Sequence, residues 1–306
     1  MAILQPGKVV GDAILVADAQ DCVAGRLQSL HDVESPSDHW VTQRLRYRRE
    51  VCLPGTSFLL ASGAGANYYH WLFDSLPRVW LAELAGIPWD RSDSVLLNQN
   101  LLPFHHQSLD LLGLPQNKRV SCKKSTVLRC EKLVVSSMPG PPGRCPRWIA
   151  EFLRERFLPK AAEYKISPKI FVSRRAAIGR RLINESELSE RFSVLGFETV
   201  QLENLRFSEQ IGLFARAKAV VAVHGAGLAN LVFAPSGIPV VEIFSPTHLE
   251  PCYEHLARIR GLAYQRVVGN AVSTRGRRAY LEDLQVDVEK VLKALAKAQA
   301  LHIEQA

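Results

Sequence analysis

Ala219-Val220-Val221-Ala222-Val223-His224-Gly225-Ala226-Gly227-Leu228-Ala229-Asn230 decides the fold. The first five residues are apolar and largely β-branched, which suits a short strand buried on both faces. Gly225 and Gly227 then allow a tight turn. A short helix over Leu228–Ala234 follows, ended by Pro235-Ser236-Gly237. A buried strand feeding a helix is the repeating unit of a parallel sheet. The alternation continues on both sides. Upstream, Lys169–Ser173 reads as a strand and Asn184 to Gly196 as a helix. Asn184 and Glu187 resemble a capping box, and Gly196 a C′ glycine. Phe197–Leu202 is the next strand, and Ser208 caps a helix to about Ala217. Downstream come a strand at Pro239–Phe244, a helix over 249–260 ended by Gly261, a strand over 263–268 and a last helix over about 280–302. This pattern predicts a doubly wound parallel α/β sheet for 165–306.

The first half is less regular. It offers strands near 13–17, 57–61, 94–98 and 126–136, and helices near 67–85, 102–113 and 146–158. A second α/β domain is expected there. Pro139–Gly143 reads as a loop, and 159–168, bracketed by Pro159 and Pro168, as the linker. The expected domains are therefore 1–160 and 165–306. At 306 residues the chain fits two domains of about 150 each.

Composition narrows the class. Apolar residues make up 47% and charged residues 22%, an ordinary globular balance. The first 30 residues carry neither the basic start nor the apolar run of a secretory signal, and no 18-residue apolar run exists. A cytoplasmic location is expected. Six cysteines form no C-x-x-C pair, so they read as reduced thiols rather than zinc or iron–sulfur ligands. No D-x-D occurs, and neither metal nor cofactor is expected. The net charge of +8 suits an anionic partner, whether nucleic acid, membrane surface or phosphorylated substrate, and equally a solvated surface. No nucleic-acid motif accompanies it. The charge concentrates at Arg44, Arg46, Arg48 and Arg49, and at Arg174, Arg175, Arg180 and Arg181. The last helix places Val288, Val291, Leu292 and Leu295 on one face and Lys290, Lys293 and Lys297 elsewhere. That pattern describes a helix packed on its own domain, with membrane-surface docking as the alternative.

Three constellations carry chemistry. In Asn67-Tyr68-Tyr69-His70-Trp71-Leu72-Phe73-Asp74-Ser75-Leu76-Pro77-Arg78, helical spacing aligns His70, Asp74 and Arg78, with Asn67 a turn earlier. Pro77 kinks this helix or starts another. A His beside a carboxylate is a general-base arrangement, and either His70 or Asp74 suits the role. The same groups also suit a buried polar network. Upstream, Gly63-Ala64-Gly65 is an incomplete dinucleotide fingerprint, although a glycine-rich helix start can hold an anion. Next, Arg174, Arg175 and Arg181 follow a strand, at the sheet edge where open α/β sheets bind ligands. Guanidinium grips phosphate bidentately, though a charge run is also a common solvated loop. Last, His224, Gly225, Ala226 and Gly227 place a turn and a helix N-terminus where a phosphate can sit. Asn230 holds the third glycine position. Glu242, on the following strand, is placed to take ribose hydroxyls.

These residues together resemble glycosyltransferase family 61. The likeness runs from Asn67-Tyr68-Tyr69-His70-Trp71 and Asp74 through Phe171-Val172-Ser173-Arg174 to the His224-Gly225-Ala226-Gly227-Leu228-Ala229-Asn230 block and Glu242, over roughly 64–245. The family includes bacterial capsular-polysaccharide enzymes and eukaryotic xylosyl- and N-acetylglucosaminyltransferases. The resemblance implies a GT-B-like pair of Rossmann-like domains facing across a cleft. It also implies inverting transfer from a nucleotide sugar, commonly UDP-linked, to a glycan or lipid-linked acceptor, without an obligatory metal. On this reading Arg174, Arg175, Arg181, His224 to Gly227, Asn230 and Glu242 bind the donor. His70 or Asp74 deprotonates the acceptor, with Asn67 and Arg78 on the acceptor side. Two other readings fit the same residues: an NAD-dependent Rossmann enzyme, and a non-catalytic nucleotide-sugar-binding subunit of a polysaccharide assembly complex. A lipid-linked acceptor would bring the protein to the inner membrane surface.

Overall fold

Three short strands open the chain: Ala2–Leu4 (β1), Gly7–Val10 (β2) and Leu15–Ala17 (β3). The computed structural model describes residues 1–11, 14–20, 22, 49–124, 126–141, 143–272 and 278–305. Arg44, Arg46, Arg48 and Ala13 of the expected first strand lie outside them. Four longer-range strands follow: Arg49–Leu59 (β4), Ser94–Leu97 (β5), Arg119–Ser121 (β6) and Thr126–Val135 (β7). Their sheet runs β3-β2-β7-β4-β5-β6, with β1 also on β7. The β7-β4-β5-β6 part is parallel, while β1, β2 and β3 join antiparallel. The short link between β2 and β3 leaves no room for the crossover that parallel pairing needs. The first unit is therefore a mixed α/β sheet.

The helix expected over 67–85 forms in three pieces. Tyr68–His70 is α-helical, Trp71–Ser75 is a π-helical bulge, and Pro77–Leu84 is α-helical with Pro77 in its first turn. Pro77 carries no N–H, so the bond its nitrogen would make is absent, and a new helical run starts there. Trp71, Leu72 and Leu76 are fully buried, and the Trp71 indole donates to Ser108 Oγ at 2.8 Å.

The second unit holds Lys169–Val172 (β8), Phe197–Val200 (β9), Ala219–Val223 (β10), Pro239–Phe244 (β11) and Ala263–Val268 (β12). They form a parallel sheet in the order β9-β8-β10-β11-β12. The chain steps from β8 outward to β9, then returns past β8 to β10, so the order reverses between β8 and β10. Every residue of β10 and β11 is buried. Phe171, Val221, Val241 and Ile243 pack with Val291 and Leu295 of the last helix, Val288–Gln305, as its apolar stripe requires. That helix starts later than residue 280. Asp283–Gln285 instead forms a strand (β14) paired with Asn270–Val272 (β13).

The division between units falls at Pro141/Pro142, inside the Pro139–Gly143 loop and ahead of 159–168. The cause is the helix Arg147–Phe157, which packs in the second unit. Arg154 donates to the carbonyls of Val232 and Ala234, and Phe157 meets Phe207 edge-on at 5.3 Å.

Two caps differ from expectation. Asn184 makes no side-chain cap on helix Glu185–Val194; its amide donates to the Val286 carbonyl at 2.8 Å and its Oδ1 accepts from Val286 N. Ser208 lies inside helix Phe207–Ala215, whose N-cap is Arg206, and Glu209 accepts from the Arg206 N–H at 2.8 Å. Gly196 and Gly261 do end their helices, with φ of 79° and 63°.

Candidate donor and base sites

The loops after β8 and β10 leave the carboxyl ends of the two strands that flank the order reversal. An open α/β sheet forms its ligand crevice at that place. Ser173 and Arg174 follow β8. Buried Glu185 fixes them, accepting from Ser173 Oγ at 2.6 Å and from Arg174 N at 2.9 Å. The Arg174 guanidinium then bonds inside its own loop, donating to the carbonyls of Arg180 (3.2 Å) and Gly179 (2.8 Å). Arg180 donates in turn to the carbonyls of His224 (3.3 Å) and Tyr280 (2.9 Å). Neither guanidinium forms an ion pair among the described residues. Burial pulls Arg174 down to about 10, with the nearby Arg180 charge adding to the shift. Burial lowers Arg180 as well.

Gly225 lies directly on the Arg174 guanidinium, where a Cβ would collide with Nη1. Ala226 and Gly227 begin the 3₁₀ helix Ala226–Phe233, so their N–H groups have no intrahelical acceptor. Arg174, Glu203, Gly225 and Gly227 line a cavity of about 290 Å³ together with Ser173 and Leu202.

His224 sits behind this turn. Its Nδ1 is 2.5 Å from Glu242 Oε1, and Tyr264 donates to Glu242 Oε2 at 2.5 Å. Its ring stacks on Phe244 at 5.1 Å and meets His248 edge-on at 5.0 Å. Burial drives His224 down to about 3, helped by the Arg180 and Arg174 charges, and pushes Glu242 up to about 8.

Several expected donor contacts have other occupations. Glu242 is fully buried with both oxygens engaged, so it holds His224 and does not face a ribose. Arg181 is locked to Asp283 through three bonds, including Nη2 to Oδ2 at 2.7 Å. Arg175 points outward, bonded to Ser186 and 3.7 Å from Glu185. Asn230 is fully buried and ties the turn, donating to the Gly227 carbonyl and to Gln210. Arg180, Glu203, His248 and Tyr264 line or support the site without having been expected there. Arg180 stood in the charge run, and Glu203 follows β9, the strand end where an acid commonly meets a ribose.

In the first unit, His70 Nδ1 lies 2.6 Å from Asp74 Oδ2, with the imidazole 29% exposed and the carboxylate 12%. The π-helical bulge carries Asp74. Arg78 does not reach this pair's open side. It is 2% exposed, donates to the Asp74 carbonyl at 3.0 Å and the Ser136 carbonyl at 3.4 Å, and is pulled to about 10 by burial. Arg78 is thus a structural brace. Asn67 caps the helix, its Oδ1 accepting from Tyr69 N at 2.9 Å. Gly65 is enclosed by Asn98, Ser62 and Ser75, and its carbonyl is 2.9 Å from His105 Nε2. This segment is packed rather than open to an anion. Among the described residues no group of three His, Cys, Asp or Glu side chains could hold a metal.

Comparison with known proteins returns one family. The model of glycosyltransferase 61 matches residues 68–241. The chain is 29% identical over 129 residues to the EGF domain-specific O-linked N-acetylglucosamine transferase of Drosophila melanogaster, covering 39% of this chain and 23% of that protein. It is 31% identical over 129 residues to protein O-linked-mannose beta-1,4-N-acetylglucosaminyltransferase 2 of Canis lupus familiaris, covering 40% of this chain and 22% of the relative. The human enzyme of the same name is 35% identical over 96 residues, covering 29% and 16%. The chain therefore matches less than a quarter of these relatives' length. With the family match spanning more than half of the chain, and taking in His70, Asp74, Arg174 and the His224–Asn230 turn, this protein belongs to glycosyltransferase family 61.

Proposed function

We propose that this chain is an inverting glycosyltransferase that moves a sugar from a UDP-linked donor to a glycan or lipid-linked acceptor in polysaccharide or capsule synthesis. One observation carries the reading. Arg174 and Arg180 bring two partly buried positive charges, without ion-pair partners among the described residues, to the loops beside a glycine turn. A buried charge costs free energy unless an opposite charge joins it, and a diphosphate supplies that charge. Arg174 and Arg180 then meet the leaving diphosphate, and the Ala226 and Gly227 N–H groups add backbone donors. Glu203 takes the ribose, the role first expected of Glu242. No metal is required in this scheme, because the guanidiniums neutralise the developing charge.

His70 removes the acceptor proton. Nδ1–H donating to Asp74 makes Nε2 the proton acceptor, and Asp74 stabilises the imidazolium that forms. The reading requires a GT-B arrangement, with this pair facing the donor crevice. An acceptor on a lipid carrier would bring the protein to the cytoplasmic membrane surface. The groove lined by Arg266, Lys290, Lys293 and Lys297 is the basic face for that contact.

Titration with UDP, GDP, CMP, dTDP and NADH tests the donor class. UDP binding that Arg174→Ala abolishes supports the proposal. Binding of NADH alone would instead make the chain a dinucleotide enzyme. UDP-N-acetylglucosamine is the first donor to assay, given the relatives' names. Binding without transfer to any acceptor would favour a non-catalytic subunit.

A further inference from the structure

We propose that a second cavity of the 142–306 unit, separate from the β8–β10 crevice, binds an acidic saccharide, a sugar that carries a carboxylate or a phosphate. The saccharide part of the claim deepens the acceptor reading above and rests on it. The cavity and its charge stand independently of the donor site.

This cavity has a volume of about 670 Å³, more than twice the 290 Å³ of the donor crevice. Small-ligand sites span about 300–1,000 Å³. Arg144, Glu254, His255, Arg258, Leu262 and Tyr264 line it. Helix Cys252–Arg260 supplies Glu254, His255 and Arg258, the last a turn after the other two. Arg144 joins them from the loop before helix Arg147–Phe157. A guanidinium only donates, and Arg258 Nη2 lies 2.8 Å from His255 Nδ1. Nδ1 is therefore an acceptor, and the ring proton of His255 sits on Nε2. The Tyr264 hydroxyl donates to Glu242, so the cavity receives its ring. Neither Arg144 nor Arg258 forms an ion pair among the described residues. Their planar forks match a carboxylate or a phosphate. Leu262 and the Tyr264 ring give an apolar floor for the body of a ligand, and Glu254 accepts from hydroxyls. An inorganic anion would leave that floor and that carboxylate unused. A neutral sugar would leave both guanidiniums unused. A sugar with an anionic group engages all of them. The groove of Arg266, Lys290, Lys293 and Lys297 differs, because three of its four cations are point charges and no aromatic ring lines it.

Calorimetry on the full chain separates the ligand chemistries. The probes are a tetrasaccharide containing glucuronic acid, the same tetrasaccharide with its carboxyls reduced, glucose 1-phosphate, glucose and inorganic phosphate. At least one acidic sugar should bind about tenfold or more tighter than its neutral counterpart, and the better of the two identifies the anion. Arg144→Ala and Arg258→Ala should each weaken that binding about tenfold, the scale of a hydrogen bond to a charged group. Both side chains are exposed, so the variants should fold, and UDP affinity should stay at the wild-type value. The His255 ring signals in long-range ¹H–¹⁵N spectra should shift with the acidic sugar and not with UDP. Equal binding of acidic and neutral sugars, no binding of any sugar, or acidic-sugar binding that survives the double substitution would overturn the proposal. Inorganic phosphate bound as tightly as glucose 1-phosphate, with no glucuronate binding, would reduce the cavity to an ion site and overturn it too. A chain that binds the acidic sugar but no UDP loses the donor reading and keeps this one. A chain that binds UDP and no sugar in this cavity does the reverse.

Discussion

His70 and His224 each meet a carboxylate through Nδ1, at 2.6 and 2.5 Å, but in opposite surroundings. The His70 ring is partly open to solvent, whereas the His224 pair is sealed among Phe244, Tyr253 and Tyr264. His70→Ala and Asp74→Asn should each lower turnover by about 10²–10⁴ in a transfer assay, with UDP affinity unchanged. Full activity in both would remove them from the mechanism. Arg174→Lys should weaken UDP binding about tenfold, because one ammonium cannot hold the Gly179 and Arg180 carbonyls as a planar fork does. The sealed pair also leaves a pH signature. Glu242 binds a proton up to about pH 8 when folded and only to about 4.5 when unfolded, so its contribution to stability falls as pH rises through that window. His224 acts oppositely, because its folded form releases its proton by about pH 3 and the unfolded form only near 6.5. The two offset each other between about 4.5 and 6.5, leaving a decline from about 6.5 to 8 that Glu242→Gln should flatten in melting curves. Glu250, Glu254 and His248 surround the pair and are unchanged in that comparison. The sequence spacing brought Arg174, His224 and Gly225 to one sheet edge. It could not show that Glu242, Arg181 and Asn230 are engaged elsewhere, since Tyr264, Asp283 and Gln210 reach them through tertiary contacts.

At the scale of elements, β10 and β11 were legible because a five-residue apolar run leading into a glycine turn, and a short β-branched run broken only by Glu242, leave few other structures. The cap at Asn184 was not, because its partner Val286 is 102 residues away. The bulge at Trp71–Ser75 was foreshadowed only by Pro77. Its neighbour Arg78 braces the bulge to the Ser136 carbonyl after β7. Arg78→Met keeps the volume but leaves the Asp74 and Ser136 carbonyls without this donor. It should cost about 1–3 kcal/mol in urea unfolding. Because Asp74 lies on the bulge, turnover should fall with UDP affinity intact. The turn after β10 makes the opposite prediction. Gly225→Ala adds one methyl against the Arg174 guanidinium, with Gly225 itself in extended backbone that any residue can adopt. The loss should therefore appear in UDP affinity, while a thermal melt stays close to wild type. A large drop in stability instead would make Gly225 a folding glycine rather than a site glycine.

For the whole molecule, the net charge of +8 has a partly resolved distribution. Arg181 is paired with Asp283 and Arg175 with Glu185, so neither contributes free charge to the crevice. Arg174 and Arg180 do. A second concentration lies in the groove where β12 meets the last helix, lined by Arg266, Lys290, Lys293 and Lys297. None of these four makes an ion pair among the described residues, and no carboxylate lines the groove. Val291, Leu295 and Ala298 on the same helix are buried, so its apolar stripe is already used in packing. No helix among the described residues is long and apolar enough to cross a membrane. Any membrane contact made by this face would then be electrostatic, and its strength would depend on salt. Each lysine near an anionic lipid surface is worth about 1 kcal/mol, so replacing Lys290, Lys293 and Lys297 together by alanine should cut vesicle partitioning about a hundredfold. Cosedimentation with phosphatidylglycerol vesicles at low salt should capture the wild type, and pure phosphatidylcholine vesicles should not. Raising salt should release it. UDP binding should be the same in the triple variant, because the lysines lie outside the β8–β10 crevice. Equal capture by both lipids, or capture that the triple substitution leaves intact, would return these lysines to the role of a solvated helix face.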